Sequence, residues 1–114
     1  MTLKELVEQL DLEIVTGEDK LERAVDGGYC SDLLSFVMSR SNRGDVWITL
    51  QSHPNIVAVA SLIGLSAIIV TEDVEVEEET RTKAERENTV ILKTGMTSFE
   101  VSGQLHTILK QRAE

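Results

Sequence analysis

The segments Asp45-Val46-Trp47-Ile48-Thr49-Leu50, Gln51-Ser52-His53-Pro54-Asn55 and, beyond a helical stretch, Ala67-Ile68-Ile69-Val70-Thr71 decide the fold. The first and last are apolar, β-branched runs that read as strands, and the crossover between them is long enough for a helix. Strands joined in this way lie parallel in one sheet. A parallel α/β sheet gathers its chemistry in the loops after the carboxyl ends of its strands, where helix amino termini converge. Here those loops are Gln51 to Asn55 and Thr71 to Asp73.

Toward the amino terminus, Asn42-Arg43-Gly44-Asp45 reads as a turn, and Ser31 is placed to cap a helix reaching about Arg40. Leu21 to Val25 reads as an extended piece stopped by Gly27-Gly28, and Glu13 to Thr16 as a short strand ended by Gly17. Thr2 and Glu5 have capping-box spacing, and Leu3, Leu6, Val7 and Leu10 share one stripe, so the chain opens on an amphipathic helix. Toward the carboxyl terminus, Pro54 suits a first helical position, which makes His53 the N-cap, and Gly64 ends that helix. Thr80 to Glu87 is a charged helix with Glu77/Arg81 and Glu79/Lys83 in the favourable i, i+4 order. Val90 to Leu92 is the last strand. Thr97 and Glu100 repeat the capping-box spacing ahead of a helix that turns Val101, Leu105, Ile108 and Leu109 inward. The expected architecture is α/β, a small and mostly parallel sheet with helices on both faces in three layers, forming one domain over residues 1–114.

At 114 residues the chain has enough length for a single core and no room for a second. Its apolar share of 41% and charged share of 27% match soluble globular chains, and no apolar run reaches the ~18 residues of a membrane span. No basic segment followed by an apolar one opens the sequence, so a cytoplasmic location is expected. Cys30 is the single cysteine, which permits no internal disulfide and, with two distant histidines, no zinc cluster. No metal or cofactor is expected. A net charge of −9 argues against nucleic acid, which needs a basic face. The acidic run Glu72 to Glu79 is read as a solvated face before a docking site for a basic partner.

Four segments carry a resemblance: Val25-Asp26-Gly27-Gly28-Tyr29, Gly44-Asp45-Val46-Trp47-Ile48-Thr49, Ala67-Ile68-Ile69-Val70-Thr71 and Val90-Ile91-Leu92-Lys93-Thr94. In order and spacing the chain resembles the DRTGG-domain family, small α/β modules found in some phosphotransacetylases, in regulated pyrophosphatases and as free-standing proteins. The amino-terminal domain of HPr kinase/phosphorylase looks like a more distant relative. The resemblance implies a regulatory module. Two departures qualify it. Where the family's pattern places Asp-Arg after the central strand this chain has Ser52-His53, and where it places Thr-Gly-Gly this chain has Thr71-Glu72-Asp73. Loss of the arginine removes a fork-shaped phosphate donor, and the two acids oppose an anion.

The candidate crevice therefore has Gln51, Ser52, His53 and Asn55 on one wall and Thr71, Thr94, Gly95, Thr97 and Ser98 on the other, with Tyr29 and Ser31 as neighbours. Hydroxyls and amides suit a neutral or weakly anionic polar ligand, since Lys93 is the one nearby cation. Each group also has a plainer use: His53 as a cap, Trp47 as core, Cys30 as a free, partly buried thiol. No catalytic residue is expected, because the phosphate-cradling and metal-holding motifs of kinases are absent. Two further readings stand beside the ligand-sensing one: a phosphotransfer protein or accessory subunit related to HPr kinase, and a purely structural dimerisation module. The helix after Pro54 carries Ile56, Val57, Ala58, Val59, Ala60, Leu62 and Ile63 and is apolar nearly all round. A surface helix of a monomer shows a polar stripe, so a homodimer through residues 54–63 is expected, alongside a partner enzyme.

Overall fold

A computed structural model describes residues 1–113. The chain runs α1 (Leu3–Leu10), β1 (Glu13–Thr16), β2 (Gly27–Cys30), α2 (Leu34–Arg40), β3 (Asp45–Thr49), α3 (Asn55–Ile63), β4 (Ala67–Val70), α4 (Glu78–Arg86), β5 (Ile91–Lys93) and α5 (Ser98–Ala113). The sheet has the order β1-β5-β4-β3-β2. Strands β2, β3, β4 and β5 run parallel, and β1 closes one edge antiparallel to β5.

Side chains alternate across this sheet and build a core on each face. Val46, Ile48, Ala67, Ile69 and Leu92 meet Leu3, Leu6 and Leu10 of α1 and Val101 and Leu105 of α5. Trp47, Ile68, Val70 and Ile91 meet Val37 of α2, Ile56, Val57, Val59 and Ala60 of α3, and Ala84 of α4. The result is the expected three-layer α/β arrangement with helices on both faces. Both capping boxes form. Thr2 Oγ1 accepts the Glu5 N–H at 3.2 Å, and Thr97 Oγ1 accepts the Glu100 N–H at 3.1 Å. Among the described residues no helix is long and apolar enough to cross a membrane.

The strand before the central hairpin-free pair β3–β4 is the main correction in the fold. Leu21 to Val25 is not the sheet strand; it docks on the start of α1, where the Leu3 and Lys4 N–H groups donate to the Arg23 and Leu21 carbonyls. The strand is the glycine pair itself with Tyr29 and Cys30. Gly28 lies under α5, where a Cβ would sit 3.0 Å from Leu105 Cδ2, so the residues read as a stop are the ones that let helix and strand approach. At the far edge Gly17, at φ 86°, turns the chain where a Cβ would lie 2.6 Å from Val90 Cγ2.

Smaller differences follow from local hydrogen bonding. Ser31 does not cap α2 directly: its Oγ accepts the Leu33 N–H at 3.1 Å, ahead of a helix that begins at Leu34. The charged helix starts at Glu78, and its Glu77/Arg81 and Glu79/Lys83 pairs form no ion pair among the described residues. Cys30 is free as expected but exposed, because β2 is the sheet's outer edge. The apolar α3 is covered largely within the chain. Ile56, Val57, Val59 and Ala60 are buried between the sheet, α2 and α4, leaving Ala58 and the 73% exposed Leu62 outward.

Candidate functional site at the carboxyl ends of the strands

Strands β2 to β5 all deliver their carboxyl ends to one side of the sheet, and the loops there are tied to one another by side-chain hydrogen bonds. Asp32, just past β2, organises the first wall. Its Oδ1 accepts from the buried Thr49 hydroxyl at 2.7 Å and from the Leu50 N–H at 2.9 Å. Gln51 Nε2 donates to the Asp32 carbonyl at 3.2 Å, and the Gln51 N–H donates to Thr49 Oγ1 at 3.1 Å. Ser31 belongs to the same corner: its carbonyl accepts the Trp47 indole N–H at 2.8 Å. The Ser52 carbonyl accepts from the buried Thr80 hydroxyl of α4 at 2.6 Å. His53 Nδ1 accepts the Asn55 N–H at 3.2 Å, so the neutral ring carries its proton on Nε2. Pro54, at φ −52° and ψ −22°, stands at the N-cap of α3 in place of His53, because the regular helix begins one residue later than expected, at Asn55; His53 supplies only the neighbouring side-chain acceptor.

The second wall is closed by the chain's own carboxylates. Glu72 Oε2 accepts the Ser98 N–H at 2.9 Å, and Glu100 Oε1 accepts the Thr97 N–H at 3.1 Å. The first donors of α5, a natural anion site, are thus filled. Thr71 hydrogen-bonds the Ser98 hydroxyl at 2.6 Å and the Thr49 carbonyl at 3.3 Å, which joins the two walls. The Thr94 carbonyl accepts the Asp73 N–H, and its hydroxyl accepts the Met96 N–H, both at 3.1 Å. Gly95 stands clear, with nothing within 4 Å of a Cβ built there. Lys93 is neutralised by Glu75 at 2.7 Å and Asp73 at 3.8 Å. The Glu75 hydrogen bond holds the Lys93 ammonium pKa above its ordinary value, and the same bond holds the Glu75 carboxyl below its own.

The backbone explains the Thr-Gly-Gly departure. Glu72 and Asp73 both sit in the left-handed region, at φ 63° and 57°, where glycine is at ease and an L side chain is strained. Glu72 earns its place by capping Ser98, whereas Asp73 is exposed and only 3.8 Å from Lys93. Asp73→Gly is therefore expected to stabilise the chain by about 1 kcal/mol, read as a higher urea midpoint at unchanged slope. A lower midpoint would show that the Lys93 contact outweighs the strain.

Of the residues singled out from sequence, Gln51, Thr71, Ser98 and Thr94 lie within one hydrogen-bonded set of loops, and Ser52, His53 and Asn55 stand at its α3 side. Tyr29 departs from the group. It is half-buried against the α2–α3 face and lines a hollow of about 410 Å³ between β2 and α5. A further hollow of about 540 Å³ lies at the opposite end of the sheet beside Arg23 and Arg43, and another of about 680 Å³ lies between the end of α1 and α5. Sequence reasoning missed Asp32. The available signal was its position, an acid directly after the last residues of a parallel strand.

The DRTGG domain family model matches residues 5–108. Among solved structures, the chain is similar to the CBS and DRTGG domains of the regulatory region of Clostridium perfringens pyrophosphatase, complexed with activator, diadenosine tetraphosphate. The TM-score is 0.73 at 19% identity, covering 91% of this chain and 45% of that one, so this chain spans about half of that regulatory region. No curated protein sequence matches it. The likeness in structure shows the fold, and the family match over nearly the whole length shows the family: the chain belongs to the DRTGG domain family.

Proposed function

We propose that this chain is a non-catalytic regulatory module that senses a small polar ligand at the carboxyl ends of β3, β4 and β5, working in the cytoplasm as a homodimer beside a partner enzyme. The observation that carries the reading is the set of polar groups left over once the loops have tied themselves together. The Ser52 hydroxyl, the Asn55 amide and His53 Nε2 make no hydrogen bond to the described residues, and they sit next to the walls held by Asp32 and Thr71. Because Glu72 and Glu100 fill the α5 donors and Lys93 is paired, a neutral polar molecule suits this place better than a polyphosphate.

A thermal-shift panel of nucleosides, nucleotides and neutral polar metabolites tests this. We expect a neutral member to raise the melting temperature, with the shift lost in His53→Ala and reduced in Thr97→Ala. Phosphate transfer from labelled ATP to a protein substrate, abolished by a substitution in these loops, would overturn the non-catalytic reading in favour of a phosphotransfer role. A ligand that maps to α1 or α4 would overturn the site. The homodimer needs a face larger than Leu62 and Ala58 of α3 offer, since α2 and α4 cover the rest of that helix.

A further inference from the structure

We infer that the outer edge of β2 takes an extended peptide segment of another protein, apolar along its middle and basic at its ends, a docking place for the proposed partner that lies apart from the ligand crevice. The Ser31 N–H donates to the Ile48 carbonyl at 3.2 Å, and peptide groups alternate in direction along a strand. Gly27, Tyr29 and Ser31 therefore face β3, whereas Gly28 and Cys30 turn their N–H and C=O groups outward, where the sheet has no further strand. Both residues are exposed. Unpaired main-chain donors and acceptors in a row are a template for one more strand, and sheets blunt them with charge, proline or a bulge. The opposite edge is blunted in this way: β1 begins with the exposed Glu13, and its pairing shifts register between Ile14 and Thr16. β2, which is Gly27-Gly28-Tyr29-Cys30 in unbroken register with β3, has none of these devices.

The guest is apolar along its middle because of what borders the edge. On one face lies the hollow of about 410 Å³ between β2 and α5, lined by Cys30, Ile48, Phe99, Leu105 and Leu109. On the other lies α2, where Leu33, Phe36 and Met38 are 54%, 42% and 49% exposed. With Phe99 these are four of the six large apolar side chains exposed among the described residues, so the apolar surface gathers on the two helices beside β2. Alternate side chains of an added strand point to the two faces and reach both. The ends of the guest are basic because Asp26 precedes β2 and Asp32 follows it, both exposed and neither in an ion pair among the described residues. Arg40, at the end of α2, lies over the Phe36 ring at 4.2 Å. The same acids disfavour a second copy here. The register that pairs Gly28 with Cys30 has its two-fold axis at Tyr29 and sets Asp26 of one chain opposite Asp32 of the other, between chains of net charge −9 each.

Fluorescence anisotropy under reducing conditions tests the assignment, with a labelled peptide of alternating Val and Thr residues closed by Arg at both ends as the probe. We expect saturable binding to the full chain with a dissociation constant of about 100 μM or below. Glu in place of the terminal Arg residues should weaken it about tenfold or more, and proline in the middle of the peptide should abolish it. In the chain, Phe99→Ser and Asp26→Lys, both at exposed positions, should each weaken binding about threefold or more, while Leu62→Ser leaves it unchanged. Hydrogen exchange reads the contact directly: the Gly28 and Cys30 amides should slow when the peptide saturates the chain, and those of β1 should not. Absence of binding at about 1 mM peptide, equal affinity for the proline or glutamate peptides, or protection that misses Gly28 and Cys30 overturns this edge. Protection of those two amides on raising the protein concentration alone gives the edge to a second copy and overturns the peptide assignment. The small-ligand reading is decided separately by the thermal shift, so either can fail without the other.

Discussion

Trp47→Ala is expected to remove about 3–5 kcal/mol, which for a domain of ordinary stability leaves little or no folded population. Trp47 is fully buried on the central strand, flanked in register by Tyr29 and Ile68, and it anchors the core shared by α2, α3 and α4. Its truncation empties a large volume and also orphans the Ser31 carbonyl that takes the indole N–H. Because this is the only tryptophan, unfolding must be followed by far-ultraviolet circular dichroism. Trp47→Phe keeps most of the packing and should lose much less. A loss below about 1 kcal/mol for the alanine variant would mean that the core collapses around the gap, contrary to the packing described.

Asp32→Ala carries the next largest effect, about 2 kcal/mol. One oxygen of this carboxylate serves the buried Thr49 hydroxyl and the Leu50 N–H, so its removal leaves donors at the end of β3 without a partner. Urea titration gives the stability, and hydrogen exchange at the Leu50 amide gives the cause: exchange should quicken there before it does in β4. Asp32→Asn retains a carbonyl oxygen and should recover about half of the loss. Equal losses in the two variants would show that the negative charge, not the acceptor, is what this corner requires.

How far the fold could be read from the sequence depended on how local each signal was. Capping boxes at Thr2 and Thr97 and the β-branched runs of β3 and β4 are decided within a few residues, and the structure has them all, whereas the start of α3 falls one residue later than the His53-Pro54 pair suggests. β2 was misplaced because glycine reads as punctuation, while the reason for Gly28 is Leu105, which is distant in sequence. The apolar α3 suggested an open face because its covers, Val37 and Ala84, belong to helices whose own patterns are weak. The same limit applies to the crevice. Its location followed from topology, but Asp32 as its organiser, and the carboxylates that fill the start of α5, depend on loops meeting across 18 and 26 residues.

The partnership of β1 with β5 bears on how the molecule is made. Thr16 is fixed by accepting the Ile91 N–H and by donating to the Thr89 carbonyl, contacts that span 75 and 73 residues. During synthesis, the first strand therefore has no ladder partner until nearly the whole chain has emerged, although β2, β3 and β4 can already assemble. Closing so long a loop makes the last pairing an entropically costly step, which places this small domain among the slower folders for its size. In that interval the β5 side of β4 is an open strand edge, and α1, with its capping box and apolar stripe, is the element at hand to shield the nascent sheet.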